Sequence, residues 1–230
     1  MFIDKSMTRA VITISPEASV LDAKEKLEKN HIHSLPVVDK DNILIGIVTD
    51  RDVRSASPSV FLTDEETARE RERVSHPHVK DIMTRDPVAI SPADTLEDAL
   101  LLMERIPVGA FPVVDQDRKV VGIISVRDLM RAFINVLGLH EPGMLLCIIA
   151  ENKIGTMKRI VDAISEERIP FGSILVARYW EEGKRAVFPY LLTNNVVKIK
   201  RKLEDLGFTL LDPMEWCLDR LPVENRPDRK

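Results

Sequence analysis

The chain has 230 residues, 44% of them hydrophobic, and its 33 lysines and arginines nearly cancel 37 aspartates and glutamates to leave a net charge of −4. That balance excludes the broad basic surface of a nucleic-acid or anionic-membrane binder, so any anionic ligand needs a local site. The length allows one large core or two ordinary ones.

The N-terminal stretch MFIDKSMTRAVITISPEAS has neither the basic start nor the apolar core of a signal peptide. No run of about 18 apolar residues occurs. The expectation is a soluble cytoplasmic protein with no membrane and no direct nucleic-acid partner. Two cysteines, Cys147 and Cys217, read as buried thiols.

Residues 7–53 align without a gap on residues 83–129, a shift of 76. Met7-Thr8-Arg9 falls on Met83-Thr84-Arg85, Pro36-Val37-Val38-Asp39 on Pro112-Val113-Val114-Asp115, and GIVTDRD (46–52) on GIISVRD (122–128). Two copies of one small unit imply two elements that bury their apolar faces on each other. Each copy predicts an extended start (Val11 to Ile14; Val88 to Ile90). A helix follows, opened by Ser19-x-x-Asp22 or Thr95-x-x-Asp98. Two short strands come next, around LPVV or FPVV and LIGIV or VVGII, joined by an Asp-containing turn. A second helix starts at Thr49 or Ser125. The order is β-α-β-β-α, twice.

Between the copies, residues 54–79 read as a linker whose DEETARERERV run is a short charged helix or a solvated segment. After Gly138 a different pattern begins. An apolar strand at Met144 precedes a turn at residues 151–155 and a helix carrying Met157, Ile160, Val161 and Ile164. A hairpin follows around residues 181–184, then a helix with Val196, Ile199, Leu203 and Leu206, and a last strand at Phe208. This β-α-β-β-α-β order is the ferredoxin-like split arrangement. The whole is an α/β (α+β) chain, with residues 219–230 as a polar tail.

Thr49-x-x-Asp52 and Ser125-x-x-Asp128 read first as capping boxes. The same geometry offers a helix N-terminus and a hydroxyl to a phosphate, and a carboxylate to the two hydroxyls of a ribose. Spacing alone leaves both readings open. His31-x-His33 and His76-x-His78 have the spacing of paired imidazoles on a strand, but lack companion ligands, and no metal site is expected. No nucleophile–base set or P-loop motif is visible, so no catalytic residue is assigned.

The repeated MTR, LPVVD and GIVTDRD elements resemble a tandem pair of CBS domains, or Bateman module, with copies over residues 1–53 and 80–136. The resemblance implies a regulatory adenosyl ligand (AMP, ADP, ATP or S-adenosylmethionine) and no required cofactor. Thr49 and Ser125 are then phosphate contacts and Asp52 and Asp128 ribose contacts, with Arg51 and Arg127 beside them. Val11, Ile12 and His33 in copy one, and Val88 and Gly109 in copy two, border the adenine. Many members carry a base before the Leu of LPVVD, where this chain has Ser34 and Ala110.

Residues 143–218 are similar to an ACT domain, a resemblance resting on topology and on Gly155. It implies effector binding at Asn152, Ile154 and Gly155. A CBS pair ahead of an ACT domain resembles the AcuB-type proteins, named for acetoin utilisation. The expectation is a non-catalytic regulator, a homodimer acting on an unidentified regulated protein. A structural interaction module without nucleotide and a DNA-binding-associated regulator are the alternatives. Leu100-Leu101-Leu102-Met103 stands where copy one has Lys24-Glu25-Lys26-Leu27. Four consecutive apolar positions span more than one helix face, and predict cover by a second protomer or by the C-terminal domain, with a wider core within the chain as the alternative.

Overall fold

The computed structural model describes residues 1–56 and 77–211. Most of the linker, His76, Cys217 and the 219–230 tail lie outside them. The chain divides into two compact units, residues 1–131 and 132–230.

In the first unit, copy one consists of α1 (Val20–Asn30), β1 (Ser34–Val38), β2 (Leu44–Thr49) and α2 (Asp50–Ala56). After α3 (Val79–Ile82) and the short β3 (Thr84–Arg85), copy two repeats the order. Its elements are α4 (Leu96–Arg105), β4 (Ala110–Val114), β5 (Val120–Ser125) and α5 (Val126–Leu137), the last of which runs on past the unit boundary.

Both first helices open with the expected capping box. Ser19 Oγ accepts from the Asp22 amide at 3.1 Å while Asp22 accepts from the Ser19 amide at 3.0 Å. Thr95 and Asp98 do the same at 3.1 and 2.9 Å. The turns between strands are equally local. Asp39 Oδ1 accepts from the amides of Asp41 and Ile43, and Asp115 Oδ1 from those of Asp117 and Lys119. The Asp that ends each PVVD motif is therefore a turn residue.

The predicted extended starts are not strands. Each contributes one parallel bridge, Ile14 to Val37 and Ile90 to Val113. The cause is a proline. Ile14 donates to Pro36 O and accepts from Val38 N, so the next bond of a parallel ladder would need an amide hydrogen on residue 36, and Pro36 has none. Pro112 ends the Ile90 ladder in the same way.

The copies are joined by exchange of their leading segments. Ile3 donates to Asp94 O, Leu96 to Met1 O, and Thr8 pairs with Ile123, so residues 1–8 pack on copy two. Residues 77–84 do the same for copy one: Val79 donates to Ala18 O, Val20 to Pro77 O, and Thr84 pairs with Ile47. Ile3 and Val79 are wholly buried as a result. The turns also meet, with Leu44 donating to Arg118 O and Val120 to Asn42 O. Copy one's core gathers Ile14, Ala23, Leu27, Leu35, Val37, Val48, Val53 and Val79, drawing residues from both parts of the chain.

The second unit contains β6 (Met144–Leu145), β7 (Cys147–Glu151), α6 (Thr156–Glu166), β8 (Phe171–Glu181), β9 (Lys184–Leu191), α7 (Val197–Asp205) and β10 (Thr209–Leu211). All strand pairs are antiparallel, in the order β10-β7-β9, with β8 on the far side of β9. β6 and β7 share one register against β9 and part only at Leu146, opposite Pro189. Leu146 donates to Pro189 O, but Pro189 cannot return the bond. One core gathers Ile148, Val187 and Leu191 of the sheet with Ile160 and Ile164 of α6 and Ile199 and Leu203 of α7. Cys147, Ile149, Ala186 and Phe188 form a separate buried cluster. Alternate residues along β7 thus serve different cores.

Candidate functional site

The end of β2 and the start of α2 bring the first set of residues together. Thr49 closes the strand and caps the helix: its hydroxyl donates to Asp52 Oδ2 at 2.7 Å, and its amide donates to the same oxygen at 2.8 Å. Ser125 and Asp128 reproduce this at 2.6 and 2.9 Å. The capping reading is therefore correct, and it leaves capacity unused. Every bond that Asp52 accepts falls on Oδ2, so its Oδ1 has no partner among the described residues.

The residue before each first strand closes the other side. Ser34 pairs with Thr49 across the sheet, and His33 O accepts the Asp50 amide at 3.1 Å. In copy two Ala110 pairs with Ser125, and Gly109 O accepts the Val126 amide at 3.1 Å. His33 and Gly109 thus lie beside the cap. The paired-imidazole reading fails, because His31 is the left-handed C-cap of α1 (φ 52°) and His33 precedes β1, so the two do not share a strand face. Among the described residues no three His, Cys, Asp or Glu side chains cluster as metal ligands.

The parallel bridge at Ile14 sends residues 11–14 alongside β1, so that Val11 and Ile12 run toward its Ser34 end. Because Pro36 and Pro112 break the ladders, the carbonyls of Ile12 and Val88 receive no amide from the strand, nor any other donor among the described residues. Each copy therefore presents a backbone acceptor on one rim and a hydroxyl–carboxylate pair on the other.

Arg51 and Arg127 are exposed in the first turns of their helices, without an acid partner among the described residues. A cation there opposes the helix dipole, and an anion bound at the N-terminus offsets that cost.

The copies differ in two ways that the shared motif does not reveal. In copy one, Asp50 is held by Arg54 at 2.8 Å and faces His33 Nδ1 at 3.5 Å, whereas copy two has Val126 there. In copy two, Asp128 is buried, and Arg131 Nη1 lies 3.5 Å from its Oδ1, whereas copy one has Ser55 at the matching place. Motif matching missed Asp50 and Arg131 because both lie outside the repeated hydroxyl–x–x–Asp pattern.

In the second unit, Asn152, Ile154 and Gly155 occupy the turn from β7 into α6. Gly155 caps the helix at φ 90°, a region that favours glycine. The Asn152 amide donates to Gly183 O, and Ile154 projects fully into solvent.

A family model described as CBS domain matches residues 3–59 and 79–135. A CBS domain-containing protein of Dictyostelium discoideum is 35% identical over 137 residues, which cover 60% of this chain and 94% of that protein. The inosine-5'-monophosphate dehydrogenase of Methanocaldococcus jannaschii is 34% identical over 128 residues, 56% of this chain but 23% of that enzyme. Among solved structures, the Arabidopsis thaliana CBS-pair protein CBSX2 matches with TM-score 0.50 and 30% identity, over 58% of this chain and 94% of that one. A Vibrio cholerae chain described as an acetoin utilization protein (AcuB) matches with TM-score 0.50 and 28% identity, over 62% of this chain and 98% of that one. The matched stretches take in both repeats and both exchanged leading segments, and the chain belongs to the CBS domain family.

Proposed function

We propose that this chain is a non-catalytic regulatory protein whose CBS pair binds an adenosine-bearing ligand, one of AMP, ADP, ATP or S-adenosylmethionine. The observation that carries the reading is a formed hydroxyl–carboxylate cap in which Asp52 Oδ1 has no partner among the described residues, set at the Ser34 end of β1, toward which the segment bearing the Ile12 carbonyl, without a ladder donor among the described residues, also runs. A ribose diol donates to a carboxylate, a phosphate accepts from a helix N-terminus, and an adenine amino group donates to a backbone carbonyl. Thr49 and Asp52, with Arg51, His33, Val11 and Ile12, hold one such ligand. Ser125 and Asp128, with Arg127, Gly109 and Val88, hold a second.

Residues 143–218 act in this reading as an ACT-like domain. The antiparallel order β10-β7-β9-β8 and the Gly155 turn support it, with Asn152, Ile154 and Gly155 as the effector turn. Ligand binding to the CBS pair shifts the chain between two states that the C-terminal domain or a regulated partner distinguishes. The shift is limited to the ligand's differential affinity for the two states. The active form is a homodimer.

Calorimetric titration with AMP, ADP, ATP and S-adenosylmethionine, beside Asp52→Ala and Asp128→Ala, tests the reading. Binding lost copy by copy supports it. No heat from any of the four, with the protein folded and free of copurified nucleotide, leaves the caps as structural features only and favours an interaction module.

A further inference from the structure

The cap of copy two opens a helix that belongs to both units. Ser125 and Asp128 start α5, whose residues 126–131 fall in the first unit and whose residues 132–137 fall in the second. Leu129 on one side of that boundary and Ala132 on the other are both buried. Copy one has no such element. Thr49 and Asp52 start α2, and the chain after the linker, residues 77–84, is again part of the first unit.

The far end of α5 is fixed inside the second unit. The Gly138 amide donates to Asn135 O and the Leu139 amide to Ile134 O, closing the helix with Gly138 at φ 68°. A Cβ on Gly138 would meet Gly172 Cα at 3.2 Å, and one on Gly172 would meet the Tyr190 ring at 2.7 Å, so the helix end, β8 and β9 are in close contact. The Tyr190 hydroxyl donates to Glu141 O at 2.7 Å. Contacts packed this closely transmit a displacement rather than absorb it. A helix of 12 residues spans about 18 Å, so a tilt of about 5° at one end displaces the other by about 1.5 Å.

We infer that copy two is the copy that signals to the C-terminal unit, and that α5 carries the signal. The inference rests on the adenosine-ligand reading of the caps. Without ligand, Asp128 Oδ1 lies 3.5 Å from Arg131 Nη1, at the last residue of α5 within the first unit. A ribose that takes Oδ1 releases Arg131, so the free and bound chains differ at the residue next to the boundary. A shift of state requires such a difference. In copy one, Ser55 stands in place of Arg131 and α2 lies wholly in the first unit.

Amide hydrogen exchange tests the inference, with calorimetry on the same chains using AMP, ADP, ATP and S-adenosylmethionine. In Asp52→Ala, which leaves the copy-two site, the compound that binds is expected to change exchange in residues 138–145 and 171–175 by about fivefold or more, the lower end of usual coupling between sites. In Asp128→Ala, which leaves the copy-one site, those residues keep their rates. Asn135→Gly/Val136→Gly, added to Asp52→Ala, loosens the last turn of α5 at two exposed positions. It is expected to keep the heat of binding and to lose the change in exchange. Absence of heat from all four compounds in the parent chain overturns the adenosine-ligand reading and this inference with it. If the parent binds, then no heat in Asp52→Ala, or heat without altered exchange, overturns the inference alone. Equal responses from the two single-site chains overturn the assignment to copy two, and a response that survives the glycine pair overturns α5 as the route.

Discussion

Arg131 Nη1 lies 3.5 Å from Asp128 Oδ1, the carboxylate oxygen whose counterpart on Asp52 has no partner among the described residues. The two caps superimpose in sequence, yet among the described residues copy two alone has a cation beside this oxygen, which in the proposed site is the one left for the ribose. In an Asp52→Ala background, which leaves copy two as the remaining proposed site, Arg131→Ala is expected to strengthen adenine-nucleotide binding by up to about fivefold, because an ion pair whose arginine is largely exposed to water, here set against a buried carboxylate, is worth roughly 1 kcal/mol. Calorimetry measures it. Weaker binding would show that Arg131 contacts the ligand itself.

The glycine of each GIV or GII motif is explained by the exchanged segment. A Cβ on Gly46 would meet Met83 Sδ at 2.5 Å, and one on Gly122 would collide with Met7 Sδ. Gly46→Ala or Gly122→Ala therefore overpacks the contact between copies, at a cost of about 1–3 kcal/mol. Pairing Gly46→Ala with Met83→Ala recovers part of that loss, since the two residues share one space and their effects do not add. Thermal or urea unfolding of the three variants checks it, and strict additivity would show that the methionine is not the obstacle.

That contact also shows which features were legible in the sequence. The repeat, its caps and its turns could be read because each is local: Ser19 and Asp22, or Asp39 and Ile43, lie within a few residues of each other. The exchange of leading segments could not. A shift of 76 between MTR motifs is the same whether Met7 packs on its own copy or on the other, and only the pairing of Thr8 with Ile123 decides. The extended starts were misread as strands because Val11 to Ile14 has strand composition. Pro36, more than twenty residues away, removes the donor that the ladder needs. The cap residues could be placed from the motif, but their unequal neighbours Asp50 and Arg131 could not.

The capping boxes make α1 and α4 sensitive to acid. Hydrogen bonds from the Ser19 hydroxyl, then from its amide, hold the Asp22 carboxyl below its ordinary value, and Thr95 does the same for Asp98. A carboxylate depressed in the folded state contributes stability above its unfolded value, near pH 4, and that stability fades as pH falls through the lower folded value. The urea midpoint of the Asp22→Asn/Asp98→Asn variant is therefore expected to fall less than that of the parent between pH 5 and the acid limb. Equal falls would remove the caps from the acid response.

Burial pushes the Cys147 thiol up to about 11. At neutral pH almost no thiolate is present, and the sulfur lies in a closed apolar cluster with Ile149, Ala186 and Phe188. Alkylation by iodoacetamide at pH 7.5, followed residue by residue by peptide mapping, is expected to leave Cys147 unmodified in the folded chain and to label it fully in urea. Rapid labelling without denaturant would show that this cluster opens readily.

Ile3 belongs by sequence to copy one and by packing to copy two. It is wholly buried, its amide donates to Asp94 O, and Met1 O caps the amide of Leu96 at the start of α4. Ile3→Ala deletes buried methyl groups from that junction and costs about 2–5 kcal/mol. The location of the damage tests the exchange. Amide hydrogen exchange is expected to quicken first in residues 90–129, while residues 32–53 respond less. The mirror variant Val79→Ala reverses the pattern, because Val79 donates to Ala18 O and lies in copy one's core. If Ile3→Ala instead loosens residues 32–53 first, the leading segment packs on its own repeat, and the two copies are joined only through their turns.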